Sequence, residues 1–416
     1  MKRRILFATL VATVAVWAQK PQYIGAGGCS GSNCHGGTSP AEEKISRILT
    51  TEYSVWSIAD KHSRAAKVLE EPRSKKMAEI LGIANPLSDA KCASCHVVGS
   101  PERAKSDGVA CEACHGAAEK WLGPHTQQNS HATSLSLGMV DTKNLRVRAQ
   151  TCLGCHLGGE GRNVDHELIA AGHPDLAFEM ETFSFAQPAH YRDPKPAAGN
   201  SLPKVRMMAV GQAMALGEAM RLLEKHAMTR WPEFSDLDCY QCHHDLRAES
   251  WRIERGYAGR RPGSAQLNLA RTDVLRTLVA GAAEGQRAEF EAALNRLAAA
   301  VSASLGNWNA IASAAKAVAA QADGLAARWE TTDFTAGMAR GMAQGLVRDI
   351  GRIAASGPHS AEQATMGLDA LSASYAGNPQ AAAKAMGELY NYLEHPSTYQ
   401  AREFAAMFRR VAGMVQ

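Results

Sequence analysis

KCASCHVVGSPERAKSDGVACEACHG, residues 91–116, holds one short pattern twice, CASCH at 92–96 and CEACH at 111–115. The pattern returns as CLGCH (152–156) and CYQCH (239–243), and in a looser form as CSGSNCH (29–35), where four residues separate the cysteines. All ten cysteines of the 416-residue chain are thereby used, in five pairs, each followed at once by a histidine.

Paired cysteines in an exported chain ordinarily suggest disulfides, and C-x-x-C units also build zinc sites. The histidines decide against both. With 15 histidines in 416 residues, five chance placements directly after a cysteine pair have a joint probability on the order of 10⁻⁷, whereas Cys-x-x-Cys-His is the attachment signature of c-type haem. Residues i, i+3 and i+4 of a helical turn share a face. Two thiols on that face can bond the two vinyl groups of one porphyrin while the histidine reaches the iron. The reading is haem c, five expected, attached through Cys29, Cys34, Cys92, Cys95, Cys111, Cys114, Cys152, Cys155, Cys239 and Cys242. His35, His96, His115, His156 and His243 are then the proximal iron ligands. The first pair is the weakest by spacing. Gly31 permits the extra backbone turn that the longer loop needs, and a Cys29–Cys34 disulfide is the alternative.

The chain opens MKRRILFATLVATVAVWAQ, with three basic residues, an apolar run from Ile5 to Trp17 and small residues that fit cleavage after Ala18. This reads as a secretory signal over 1–18, which places the mature chain in the periplasm or outside the cell. The apolar run is short for a membrane span, so no span is expected after cleavage. Losing Lys2, Arg3 and Arg4 lowers the formal charge from +4 to +1. No basic patch argues for nucleic acid. The aromatic content of 6% is low for this length, which leaves core volume for a bound cofactor.

The order of features over residues 22–250 resembles the cytochrome c-554 type of multihaem cytochrome. The resemblance rests on CSGSNCH, then EYSVWSIADKHSRAAKVL (52–69), KCASCHVVG, and GVACEACHGAAEKWLGPH (108–125). In that family a first haem motif precedes a tryptophan-containing helix that ends in a histidine. The resemblance implies that His62 and His125 are distal haem ligands. It also implies that one iron can lack a distal ligand. This chain departs from four-haem members by its fifth motif. CLGCHLGGEGRNVDHELIAAGHPDLAFE (152–179) is similar to stretches of the hydroxylamine oxidoreductase and octahaem cytochrome group, and that likeness makes His166 and His173 ligand candidates. His244 cannot share an iron with its neighbour His243. It can serve an adjacent haem, as the doubled histidine of cytochrome c3-like proteins does; that group also contains four-residue motif spacings. His190 competes with His166 for the fifth distal place. His226 lies on an amphipathic stretch around LGEAMRLLEKHA (216–227), where a polar-face histidine needs no functional role.

Residues 19–255 are expected to form a multihaem cytochrome c domain of short helices and loops around stacked haems. Helical pieces are legible at Ala41–Thr50, Val55–Leu69, Arg146–Gln150 and Val205–Met228, with a proline-bearing loop from Phe183 to Pro203. GYAGRRPG (256–263) marks a change of character. Residues 264–416 contain no cysteine and are alanine-rich. Apolar residues recur there at helical spacing: Phe290, Leu294, Leu297 and Val301, then Phe334, Met338, Met342, Leu346, Ile350 and Ile353. Breaks at Gly306, Gly357-Pro358, Gly377-Asn378-Pro379 and His395-Pro396 divide the stretch into five to seven antiparallel helices. The fold class is therefore mainly α, a haem domain followed by an all-α bundle.

Five irons between Cys29 and His243 favour electron transfer between redox partners, which are soluble redox proteins or a membrane quinol-oxidising complex. An oligomer is compatible with the sequence. One rival is an oxidoreductase acting on a small nitrogen or sulfur compound at a five-coordinate haem; no motif carries the lysine that multihaem nitrite and tetrathionate reductases often have in place of the histidine. Another is a subunit of an extracellular conducting filament.

Overall fold

A computed structural model describes residues 21–44, 46, 48–99, 107–159, 161–192, 202–243, 263–268 and 270–415. The expected signal at 1–18, the boundary at 256–262 and His244 lie outside them. Among the described residues the chain is mainly α, and extended pairing is limited to two isolated bridges, Gly159 with Arg162 and Leu237 with Leu267.

The N-terminal half uses helices too short to be stable alone, and side-chain caps fix where three of them begin. Asp89 accepts from the Lys91 amide at 2.9 Å and opens Ala90–His96. Asn144 accepts from Arg146 and Val147, each at 3.0 Å, and opens Leu145–His156. Asp165 accepts from Leu168 at 2.9 Å and opens His166–Ala170. Each cap satisfies amide groups that the first helical turn leaves without partners.

Two helical expectations change. The described residues of 41–50 form a turn, closed by Gly37 N to Thr50 O at 2.7 Å and Ala41 N to Leu49 O at 2.7 Å. The long helix expected over 55–69 is a helix at Glu52–Ala59 followed by two single turns, Lys61–Arg64 and Lys67–Glu70. Asp60 makes the break, because its carboxylate accepts from the His62 amide at 2.9 Å in extended backbone.

The C-terminal part consists of seven helices among the described residues: Ala270–Ala282, Glu284–Ala303, Trp308–Glu330, Ala336–Ala355, Pro358–Ser372, Pro379–Leu393 and Ala401–Met414. All four expected break points fall between helices. Two more breaks lack a Gly or Pro signal, one at Ala283 and one at 331–335, where Thr335 caps the next helix by accepting from Met338 N. Phe290, Leu294, Leu297, Val301, Phe334, Met342, Leu346, Ile350 and Ile353 are all buried, as their spacing requires.

Packing extends across the compositional change near 256–263. Helix Pro203–Thr229 packs on Leu145–His156 and Met180–Ala186, and also on Trp308–Glu330, Ala270–Ala282 and Pro358–Ser372. Its residues 208–217 are buried on every side. One apolar core runs from Ala149 to Val415. Polar ties reinforce the junction: Arg221 bridges Glu218 at 2.9 Å and Asp323 at 3.0 Å, and Gln363 joins Gln212 at 2.9 Å to the Phe178 carbonyl at 3.2 Å. His226 corrects the surface reading. It is 5% exposed, and its Nδ1 lies 2.7 Å from Asp236 Oδ2.

Glu181, also at this junction, carries a pH signature. Burial pushes its carboxyl up to about 7, Glu179 adds to the shift, and Lys204 opposes it. A carboxyl whose folded value is raised holds its proton longer when folded, so stability is lost as pH rises from about 4.5 to about 7. Glu181→Gln is expected to remove on the order of 2 kcal/mol of that dependence. Thermal midpoints of both proteins across this window test it. Parallel curves would contradict the assignment.

Candidate haem sites

The first motif follows the single turn Ala26–Cys29 and is folded back by Cys34 N to Gly31 O at 2.9 Å and Gly36 N to Gly31 O at 3.0 Å. The glycine this geometry requires is Gly36, where a Cβ would sit 2.0 Å from Ser30 O, and not Gly31, whose Cβ would meet only the Cys34 sulfur at 3.4 Å. We expect Gly36→Val to open the loop and lower occupancy of the first haem selectively. Intact mass would read this as a population lighter by one haem; an unchanged mass would contradict it.

CASCH and CLGCH occupy the last turns of Ala90–His96 and Leu145–His156, and CEACH forms the helix Cys111–His115. Cys239–Gln241 is a single turn capped by Asp238, which accepts from Tyr240 N at 3.1 Å. The ten thiols are unpaired with one another as disulfides, including Cys29 and Cys34.

The tryptophan helix and the third motif are physically joined. Trp56 Nε1 donates to Val109 O at 3.0 Å, and Val109 N donates to His62 O at 3.2 Å. Gly108 has φ 53°, and a Cβ there would approach His62 O at 3.1 Å, so the glycine of GVACEACHG allows the third motif to reach His62. Buried Glu112 accepts from Ile24 N, Gly25 N and Ala118 N at 3.0, 2.8 and 2.7 Å, which clamps the approach to the first motif against the third.

Four motif histidines face a second histidine ring. The centroid separations are 6.3 Å for His35 and His125, 6.0 Å for His156 and His62, 6.4 Å for His96 and His173, and 6.2 Å for His243 and His166. Two imidazoles bound at about 2 Å on opposite sides of one metal ion place their centroids about 6 Å apart. The rings are also oriented through their other nitrogen. Nδ1 of His35 lies 3.0 Å from Glu52, that of His62 2.9 Å from Asp60, that of His96 2.9 Å from Ala65 O, and that of His173 2.8 Å from Pro174 O; His125 Nδ1 meets Leu122 O. Metal-bound imidazoles typically engage their second nitrogen in this way, leaving Nε2 for the metal. These residues therefore fit haem iron.

His115 is the fifth motif histidine. Burial pulls its pKa down to about 4, and the charge of His190 is the next cause, ahead of His35 and Arg148. His190 is held by Nδ1 at 3.3 Å from Pro188 O. His156 is likewise pulled down to about 4 by burial, then by His62, and is walled by Phe178 and Phe183 at 5.0 and 5.4 Å. His62, His125, His166 and His173 thus each lie opposite a motif histidine. His131 instead faces Asp141 at 3.5 Å, and His359 faces Asp175 at 3.3 Å. The orienting groups Glu52, Asp60 and Glu112 were not singled out from sequence; Asp60, two residues before His62, carried the available signal, the side chain-to-amide turn.

Neighbouring motifs touch out of chain order. The Cys29 and Cys111 thiols, those of Cys114 and Cys152, and those of Cys95 and Cys155 each lie close enough for one to shift the other's ionisation. Lys91, beside the second motif, pairs at 2.9 Å with Asp165, beside His166, which faces the fifth.

Repeated Cys-x-x-Cys-His segments with opposed histidine rings define a multihaem c-type cytochrome, a protein of electron transfer with covalently bound haem c. Residues 29–116 match the family model for cytochrome c554 and c-prime, so this part of the chain is similar to that family. No curated protein and no solved structure matches the chain. No helix of the described residues is long and apolar enough to cross a membrane.

Proposed function

We propose that the chain is an exported pentahaem carrier that passes electrons along a row of bis-histidine haems. The ligand pairs are His35 with His125, His115 with His190, His156 with His62, His96 with His173 and His243 with His166. His190 takes the fifth place, alongside His166, and His244 is not needed. The row runs from the first motif to the third, fourth, second and fifth, following the contacts between neighbouring motifs. The four facing ring pairs at 6.0–6.4 Å are the observation that carries this reading.

Filling both axial positions with histidine leaves no open iron and favours low potentials, as suits a carrier. The protein contributes spacing, orientation and water exclusion; the haem supplies one-electron chemistry. Helix Pro358–Ser372 lies against the fourth and fifth motifs through Gln363 to Phe178 O and His359 beside Tyr240 at 6.1 Å, so the bundle acts as a cover over that end of the row. The c554 likeness suits export to the periplasm and exchange with redox proteins or a quinol-oxidising complex.

The test is electron paramagnetic resonance of the ferric holoprotein. Only low-spin signals are expected, unchanged by nitrite, hydroxylamine or cyanide. A high-spin signal abolished by one of these would replace the carrier with the enzyme reading, and His115 is where such a site would arise.

A further inference from the structure

A cavity of about 130 Å³ lies where the haem segment meets the bundle, and none of the motif cysteines or proposed ligand histidines lines it. Leu216, Leu294 and Leu297 form much of its apolar wall, while Asn163 and His226 supply polar groups. Leu157, beside the fourth motif, and Asp236, shortly before the fifth, also line it, so it lies between two of the haem attachments.

Its polar groups are specific. Asn163 Nδ2 is buried with no hydrogen-bond partner. Such an orphaned amide donor costs about 1–3 kcal/mol unless something accepts from it. In the tautomer whose Nδ1 donates to Asp236 Oδ2 at 2.7 Å, Nε2 of His226 is the acceptor. Among the lining groups, these two offer a buried donor without a partner and an acceptor. A phenolic hydroxyl complements both, since it donates to His226 and accepts from Asn163. Charge on the lining is balanced between Asp175 and Asp236 on one side and Arg271 and Arg276 on the other, so a neutral guest is favoured over an ion. The volume suits one aromatic ring, as an apolar cavity of about 150 Å³ holds benzene.

We propose that this cavity binds a neutral, single-ring hydroxylated aromatic molecule, with its hydroxyl between His226 and Asn163 and its ring against Leu216, Leu294 and Leu297. This site is independent of the haem count and of the ligand pairing proposed above.

The test is calorimetric titration of benzene-1,4-diol into the holoprotein reduced with dithionite, so that no electron transfer accompanies binding. Saturable one-to-one binding is expected. Leu294→Trp, which fills the cavity, should weaken it at least tenfold. Asn163→Leu should weaken it about tenfold, the loss of one hydrogen bond to a buried donor. On the unaltered protein, 1,4-dimethoxybenzene, which cannot donate, should also bind about tenfold more weakly, and this arm needs no variant to fold. Absence of saturable heat, equal affinity for the diol and its dimethyl ether, or affinity unchanged in both variants would overturn the proposal. Because heat rather than haem absorbance is read, any of these results leaves the carrier reading intact, and a high-spin haem would leave this site standing.

Discussion

Replacing His190 with leucine should convert one haem of the ferric protein from low spin to high spin while haem content stays unchanged. His190 contributes no thioether, so attachment through Cys111 and Cys114 survives; what is lost is the second axial ligand opposite His115. His62→Leu, His125→Leu, His166→Leu and His173→Leu should each behave in the same way, one high-spin haem per substitution. His131→Leu should produce none, because its ring faces Asp141 and no motif histidine. Each affected haem should also move to a more positive potential, since an iron that loses a histidine donor holds its ferric state less well. The graded series separates ligand loss from general damage, which would disturb several haems at once. A low-spin spectrum retained in His190→Leu would remove that residue from the ligand set and return the fifth position to His244.

The second large effect concerns the first motif. Cys29→Ser with Cys34→Ser should yield a protein one haem lighter, with the other four attachments intact. Glu112 holds the segment before this motif through the backbone amides of Ile24 and Gly25 rather than through the cysteines, so the third motif should keep its clamp. Intact-mass measurement decides it. If the masses differ only by the two sulfur-to-oxygen exchanges, Cys29 and Cys34 carry no haem.

The attachment residues were legible because covalent chemistry fixes their spacing, and five repetitions leave little room for chance. The bundle was legible for a different reason. Buried positions such as Phe290, Leu294, Leu297 and Val301 must recur with the helical period, and Gly357-Pro358 or Gly377-Asn378-Pro379 must interrupt it. The facing of histidines was not legible, because it depends on chain segments brought together from afar: His35 meets His125 and His62 meets His156 only after folding. Resemblance supplied His62 and His125 but could not pair them. The helix expected over 55–69 failed for a local reason, since Asp60 competes for the His62 amide and breaks the helix where that ring must turn. The alanine-rich composition after residue 263 marked a helical bundle after the haem segment but not the element that ties the two together. Helix Pro203–Thr229 packs on helices of both parts, because its small residues allow packing on every side.

The most direct test of the five-haem row is the haem-to-polypeptide ratio of the unaltered holoprotein, obtained from the pyridine haemochrome together with intact mass. The account requires five haems per chain, all covalently bound. A ratio of four, with Cys29 and Cys34 joined as a disulfide, would contradict it.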